Sequence, residues 1–149
     1  MSNQRMIPLA RTLHVKDTCL CLAAQRAART LARRFDLAFQ PVGLTNQQFS
    51  LLMSLNRPEP PAMGPVAELL AMDRTTLTAA LKPLTKRGWV RTEPDPKDRR
   101  GRLLFLTYEG QQILAQALPI WQAEHLALEE KLSEVDLVEL RRGLANLAG

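Results

Sequence analysis

Reactive side chains are scarce in this chain, whose 149 residues include only two cysteines and two histidines. His14 and His125 are too few, and too far apart in sequence, to suggest a metal site. On a helix, Cys19 and Cys21 would point about 200° apart. That disfavours both a disulfide between them and a Cys-x-Cys metal site. Two cysteines in such a chain more often fill a core. Neither a metal nor a cofactor is expected. A thiol peroxidase using Cys21 would need a base, a well-placed resolving cysteine and a substrate-binding motif, and none is legible. No catalytic residue is assigned, and an enzyme is not expected.

Long hydrophobic runs are missing as well. The longest apolar stretch is only a few residues, too short to span a bilayer. Arg5, Pro8 and Arg11 stand where a secretory signal would need an apolar stretch. The expectation is a cytoplasmic protein with no membrane partner. Internal repeats and low-complexity tracts are absent.

What is present is a globular composition, 46% apolar, in a length that suits one domain over residues 1–149. The net charge is +5, and its distribution matters more than its size. Residues 86–102 hold seven cations (Lys86, Arg87, Arg91, Lys97, Arg99, Arg100 and Arg102) against three acids, whereas residues 103–149 hold three against seven. A solvated surface more often intermixes the signs, so this segregation favours a polyanionic partner.

Apolar spacing predicts the helices. Residues 1–15 read as a loosely held arm. From Asp17 to Gln40, Leu20, Ala24, Ala27, Ala28, Leu31, Phe35 and Ala38 recur at spacings of three and four, until Pro41-Val42-Gly43 stops the pattern. Thr45 with Gln48 is a capping-box signature opening a helix to about Asn56 that buries Phe49, Leu52, Met53 and Leu55. A stiff connector, Arg57 to Pro61, leads to Ala62-Met63 as a candidate third short strand. Thr107 can cap a long helix from Tyr108 to about Leu132, which Pro119 should kink or mark with a local irregularity. Ser133 with Asp136 begins a last helix. Its Leu137, Leu140, Leu144 and Leu147 form a narrow seam suited to another helix.

Between these lies the segment that carries the functional expectation. Pro65 to Leu70 reads as a helix, Met72-Asp73 as a turn, and a second helix opens at Asp73. Strands at Trp89–Thr92 and Leu103–Leu106 flank an Arg-rich loop. On the second helix Leu77, Ala80, Leu81 and Leu84 share one side, and Thr75, Thr78, Ala79, Lys82 and Lys86 the other. A solvated helix would favour Glu, Lys and Gln over three threonines. Small and hydroxylated residues instead let a helix approach base edges. Asp73 suits the N-cap. Arg100 is the first candidate for a minor-groove contact, with Lys97, Arg99 and Arg102 nearer phosphates. Asp98 is expected to orient Arg100 through an ion pair. A protein–protein module of the same shape remains the alternative, although an acidic or apolar hairpin would suit it better than this basic one.

The chain resembles the MarR family of winged helix-turn-helix regulators. The likeness is carried by Leu69-Leu70-Ala71-Met72-Asp73-Arg74-Thr75-Thr76-Leu77-Thr78, by Leu84-Thr85-Lys86-Arg87-Gly88-Trp89-Val90, by Asp95-Pro96-Lys97-Asp98-Arg99-Arg100, and by Leu104-Phe105-Leu106-Thr107-Tyr108-Glu109-Gly110. It implies a mainly α fold with about six helices and a β-hairpin wing. Residues 45–106 would form the DNA-binding lobe, and helices at 17–40 and 108–149 the dimerisation region. It further implies a homodimer on pseudo-palindromic operators, commonly repressing until a small ligand or oxidant releases it. The DNA-binding candidates are then Arg74, Thr75, Thr76, Thr78, Lys82, Lys97, Arg99, Arg100 and Arg102.

Members that sense organic hydroperoxides carry a reactive cysteine in the first helix near tyrosines, and Cys21 falls at the equivalent place. Gln25 and Phe35 stand where the tyrosines would be, so a structural role for Cys21 is favoured over redox sensing. The alternative is a small aromatic or anionic effector, with Phe35, Phe39, Met53 and Trp121 as apolar walls and an arginine holding the anion.

Overall fold

A computed structural model describes residues 6–149. In chain order it contains α1 (Leu9–Thr18), α2 (Leu20–Ala38), a 3-10 turn (Gln40–Val42), α3 (Asn46–Leu55), α4 (Met63–Leu69) and α5 (Arg74–Lys86). Then come β1 (Val90–Asp95), β2 (Asp98–Leu106), α6 (Tyr108–Lys131) and α7 (Leu137–Ala148). The expected mainly helical, winged arrangement is present, with seven α-helices among the described residues where about six were expected.

The extra helix corrects the N-terminal expectation. Of the stretch read as an arm, residues 1–5, with Arg5, lie outside the described residues, but Leu9–Thr18 is helical. Pro8 precedes its first residue, and the Thr18 hydroxyl donates to the His14 carbonyl at 2.6 Å. The long helix expected from Asp17 is interrupted at Cys19, whose extended backbone ends α1. Its Sγ accepts from the Leu22 amide at 3.4 Å, so a sulfur stands where a hydroxyl cap usually would.

The chain divides into two compact units, one ending at Arg34 and one running from Phe35 to Gly149. In the second unit the core gathers Phe39, Leu51, Leu52, Val66, Leu77, Leu84 and Leu104, all essentially inaccessible to water. Phe39 stacks on Phe49 at 4.8 Å and meets Phe35 at 5.9 Å. Caps secure the helix starts. Thr45 and Gln48 make the full reciprocal box, and Asp136 accepts from the Val138 and Glu139 amides. The helix around Pro119 continues unbroken from Tyr108 to Lys131.

The hairpin is longer than expected. Its strands pair antiparallel from Val90↔Leu106 to Asp95↔Asp98, with a register shift at Pro94/Asp95. Pro94 and the charged tip read as loop because those residues are depleted in strands. In a two-stranded hairpin each strand has a free edge, so a proline without an amide hydrogen is tolerated. The expected third strand shrinks to a single Ala62↔Leu103 bridge, since Met63 already begins α4.

Candidate nucleic-acid interface

The turn between α4 and α5 is built on a residue that carries no turn signature. Ala71 adopts φ 52°, a left-handed conformation that costs a side-chain-bearing residue about 1 kcal/mol or more. The Met72 amide then bonds the Ala67 carbonyl at 2.9 Å. Asp73 caps α5 as expected, accepting from the Thr76 amide at 2.7 Å. That amide holds the Asp73 carboxyl below its ordinary value.

From this start α5 buries Leu77, Leu81 and Leu84, which fixes its rotation. Thr75, Thr76, Thr78, Ala79 and Lys82 are left exposed on the opposite side. The Thr78 hydroxyl donates to the Arg74 carbonyl at 2.8 Å, so its outward chemistry is an acceptor oxygen and a methyl group. Arg74 is exposed, and its guanidinium lies over Gly64, where an added Cβ would sit 3.4 Å from Nη2. A cleft of about 580 Å³ beside α5 is shared by Thr75, Thr76 and Ala79 with Thr45, Gln47 and Gln48 at the start of α3. Sequence reasoning gave Thr45 and Gln48 a capping role only and passed over Gln47. Nothing in the sequence brings residues thirty positions apart to one cleft except the fold.

The wing tip is shaped by its carboxylates. Asp95 accepts from the Lys97 amide at 2.9 Å, and Asp98 from the Arg100 amide at 3.0 Å. This corrects the expected Asp98–Arg100 ion pair: the carboxylate holds the main chain of Arg100, not its guanidinium. Gly101 lets the tip close, because a Cβ there would press on Asp95 and Asp98 at 3.3 Å. Lys97, Arg99, Arg100 and Arg102 are all exposed. Among the described residues no carboxylate pairs with their side chains. Arg91 differs, since it pairs with Glu93 at 2.9 Å and stacks over Phe105 at 4.4 Å.

The wing is tied to α6 through Thr107. Its hydroxyl donates to the Gly88 carbonyl at 2.6 Å and accepts from the Gly110 amide at 3.0 Å. A Cβ on Gly110 would fall 2.2 Å from the Trp89 carbonyl oxygen. The Leu-Thr-x-x-Gly pattern therefore has a steric cause.

The expected apolar walls of an effector site are not all brought together. Phe39 is core, Phe35 is partly buried against that core, and neither lines the groove that holds Met53 and Trp121. Met53, expected to be buried, is 41% exposed. With Trp121 it lines a groove of about 410 Å³ that also includes Phe49, Leu69, Asn56 and Arg57. Trp121 stacks on His125 at 4.7 Å, and His125 pairs with Glu129 at 3.2 Å. Cys21 is exposed and Cys19 half-buried, so filling a core does not describe Cys21 in this chain.

Comparison with known proteins agrees with this geometry. A MarR family model matches residues 42–101. Over 79 residues the chain is 38% identical to the transcriptional regulator HosA of Escherichia coli O111:H-, covering 52% of this chain and 57% of that relative. It thus spans little more than half of HosA's length. The multiple antibiotic resistance protein MarR of Escherichia coli K12 is 29% identical over 136 residues, 91% of this chain and 87% of the relative. Among solved structures, the transcriptional regulator MosR of M. tuberculosis in complex with DNA matches with a TM-score of 0.76 at 35% identity. That match covers 87% of this chain and 93% of the other.

Proposed function

Because this chain belongs to the MarR family, we propose that it is a transcription regulator that binds double-stranded DNA as a homodimer. Residues 45–106 form its DNA-binding lobe. In this reading Thr75, Thr76, Thr78 and Lys82 enter the major groove, with Arg74 beside them. Arg100 reaches the flanking minor groove, and Lys97, Arg99 and Arg102 bind phosphates. One observation carries the reading: an exposed threonine face on a helix fixed by its buried leucines lies on the same lobe as a wing tip of unpaired cations. Arg100→Ala should weaken binding to a selected duplex by about 1–3 kcal/mol and lower the salt slope by about one. Unchanged binding across a salt titration would contradict it.

The dimer is supported by α7, which buries none of its residues and leaves Leu140, Leu144 and Leu147 exposed at helical spacing. A two-fold dimer would set two recognition helices about one DNA turn apart, which suits a pseudo-palindromic operator. Repression and a cytoplasmic location follow the family pattern. No helix among the described residues is long and apolar enough to cross a membrane.

Release by a small effector fits the groove at Met53 and Trp121. Phe49, Met53 and Trp121 offer apolar wall, and Arg57 with Asn56 offers donors for a carboxylate. Calorimetry with a panel of aromatic acids tests this. Arg57→Ala should lose the carboxylate preference while DNA binding persists.

A further inference from the structure

Arg87 stands among the seven cations of the basic segment, yet its guanidinium is engaged within the protein. Nη1 donates to the Gly43 carbonyl at 2.7 Å, and the guanidinium carbon lies 4.4 Å from the centre of the Trp89 ring. Gly43, at φ 70°, ends the 3-10 turn ahead of α3. The positive φ is what calls for glycine there; an added Cβ would only touch Arg87 Nη2 in ordinary contact at 3.4 Å. The segment just after this corner is held by a second contact. Asp36, near the end of α2, accepts from the Asn46 amide at 2.7 Å and from Asn46 Nδ2 at 2.8 Å.

Arg87 is also the residue at which α5 ends, and its amide bonds the Pro83 and Thr85 carbonyls. Gly88 then turns the chain at φ 77°, and the Trp89 carbonyl accepts from the Thr107 amide at 3.0 Å. Residues 87–89 therefore join the end of the recognition helix, the start of the wing and the start of α6. The Arg87 side chain adds the corner at Gly43 to that junction.

We propose that Arg87 is a positioning residue for DNA recognition: it fixes the exposed face of α5 relative to the wing and does not itself bind phosphate. The proposal rests on the DNA-binding reading above. Arginine suits the role because its planar group stacks and donates directionally at once. Lysine keeps the charge but provides neither the flat face nor the fork.

The test compares the full-length wild-type chain, Arg87→Lys, Arg87→Ala and Arg100→Ala on a selected duplex and on a random-sequence duplex across a salt titration. Thermal melting is measured in parallel. Both Arg87 variants should bind the selected duplex about tenfold more weakly and the random duplex within about twofold of wild type, so specificity falls. Their salt slopes should match wild type, whereas that of Arg100→Ala drops by about one. Three results would overturn the proposal. The first is Arg87→Lys matching wild type while Arg87→Ala loses salt slope, the mark of a phosphate ligand. The second is both duplexes weakening together in step with a lowered melting temperature, the mark of a merely structural residue. Wild-type affinity in both variants would leave Arg87 no role. A wild-type chain that binds neither duplex refutes the DNA-binding reading itself, and this inference with it.

Discussion

The stretch from Phe39 to Ala117 and the helices α2 and α7 carry the same kind of sequence signal and use it differently. The middle stretch, α2 and α7 show apolar residues at spacings of three and four; α1 carries no such pattern. Among the described residues every buried hydrophobic residue lies in the first region, and α1, α2 and α7 bury none. Helical spacing thus reports that a face wants a partner and does not say whether the partner is in the same chain. In the middle region the partner is the rest of the same stretch, with Phe39, Leu114 and Ala117 in one core with Leu77 and Leu104. For α7, the proposed partner is a second copy.

Truncating one leucine in each region gives the largest expected difference. Leu104→Ala, at a fully buried site, should cost about 3 kcal/mol by chemical denaturation at any protein concentration. Leu144→Ala, at a half-exposed site, should leave a dilute chain within about 0.5 kcal/mol of wild type and act on association. A concentration-independent loss at Leu144 as large as that at Leu104 would show that α7 packs within its own chain. Next in size is Gly110→Ala. The clash with the Trp89 carbonyl should destabilise by about 2–3 kcal/mol, read as a lower denaturation midpoint with an unchanged slope. Ala71→Gly should move the other way, stabilising by up to about 1 kcal/mol as the left-handed turn loses its side chain.

The smallest effect concerns acid. Because the Thr76 amide lowers the Asp73 carboxyl in the folded chain, the stabilisation it brings is complete above the ordinary carboxylate value. It is lost as pH falls through the lowered one. Asp73→Asn keeps an acceptor for the cap and removes the titration. Melting temperatures of that variant should fall less steeply than wild type between about pH 5 and pH 2. Parallel curves would count against the assigned cap energetics.

Most of the lobe was legible because its signals are local. The Thr45–Gln48 box, the Asp73 and Thr107 caps and the buried face of α5 each follow from a few neighbouring residues. What escaped depends on distance or on a missing marker. Ala71 holds a left-handed turn without the glycine that would announce it. Arg87 counts as one more surface cation until the fold brings Gly43, 44 positions away, beneath it. Phe39 and Met53 share an apolar character that cannot tell core from groove wall. Only packing separates the one, fully enclosed, from the other, open at the surface. The helix from Leu9 to Thr18 buries nothing, so the burial pattern that marks other helices is absent from it.

On the proposed function, α5 and the wing offer a cationic, threonine-lined face to DNA and need a second copy of the chain to use it. The most direct measurement is the mass of the complex with a selected duplex, determined by light scattering over a range of salt. Two chains per duplex, dissociating steeply as salt rises, are predicted. A single chain per duplex, or no complex at low ionic strength, would contradict the account.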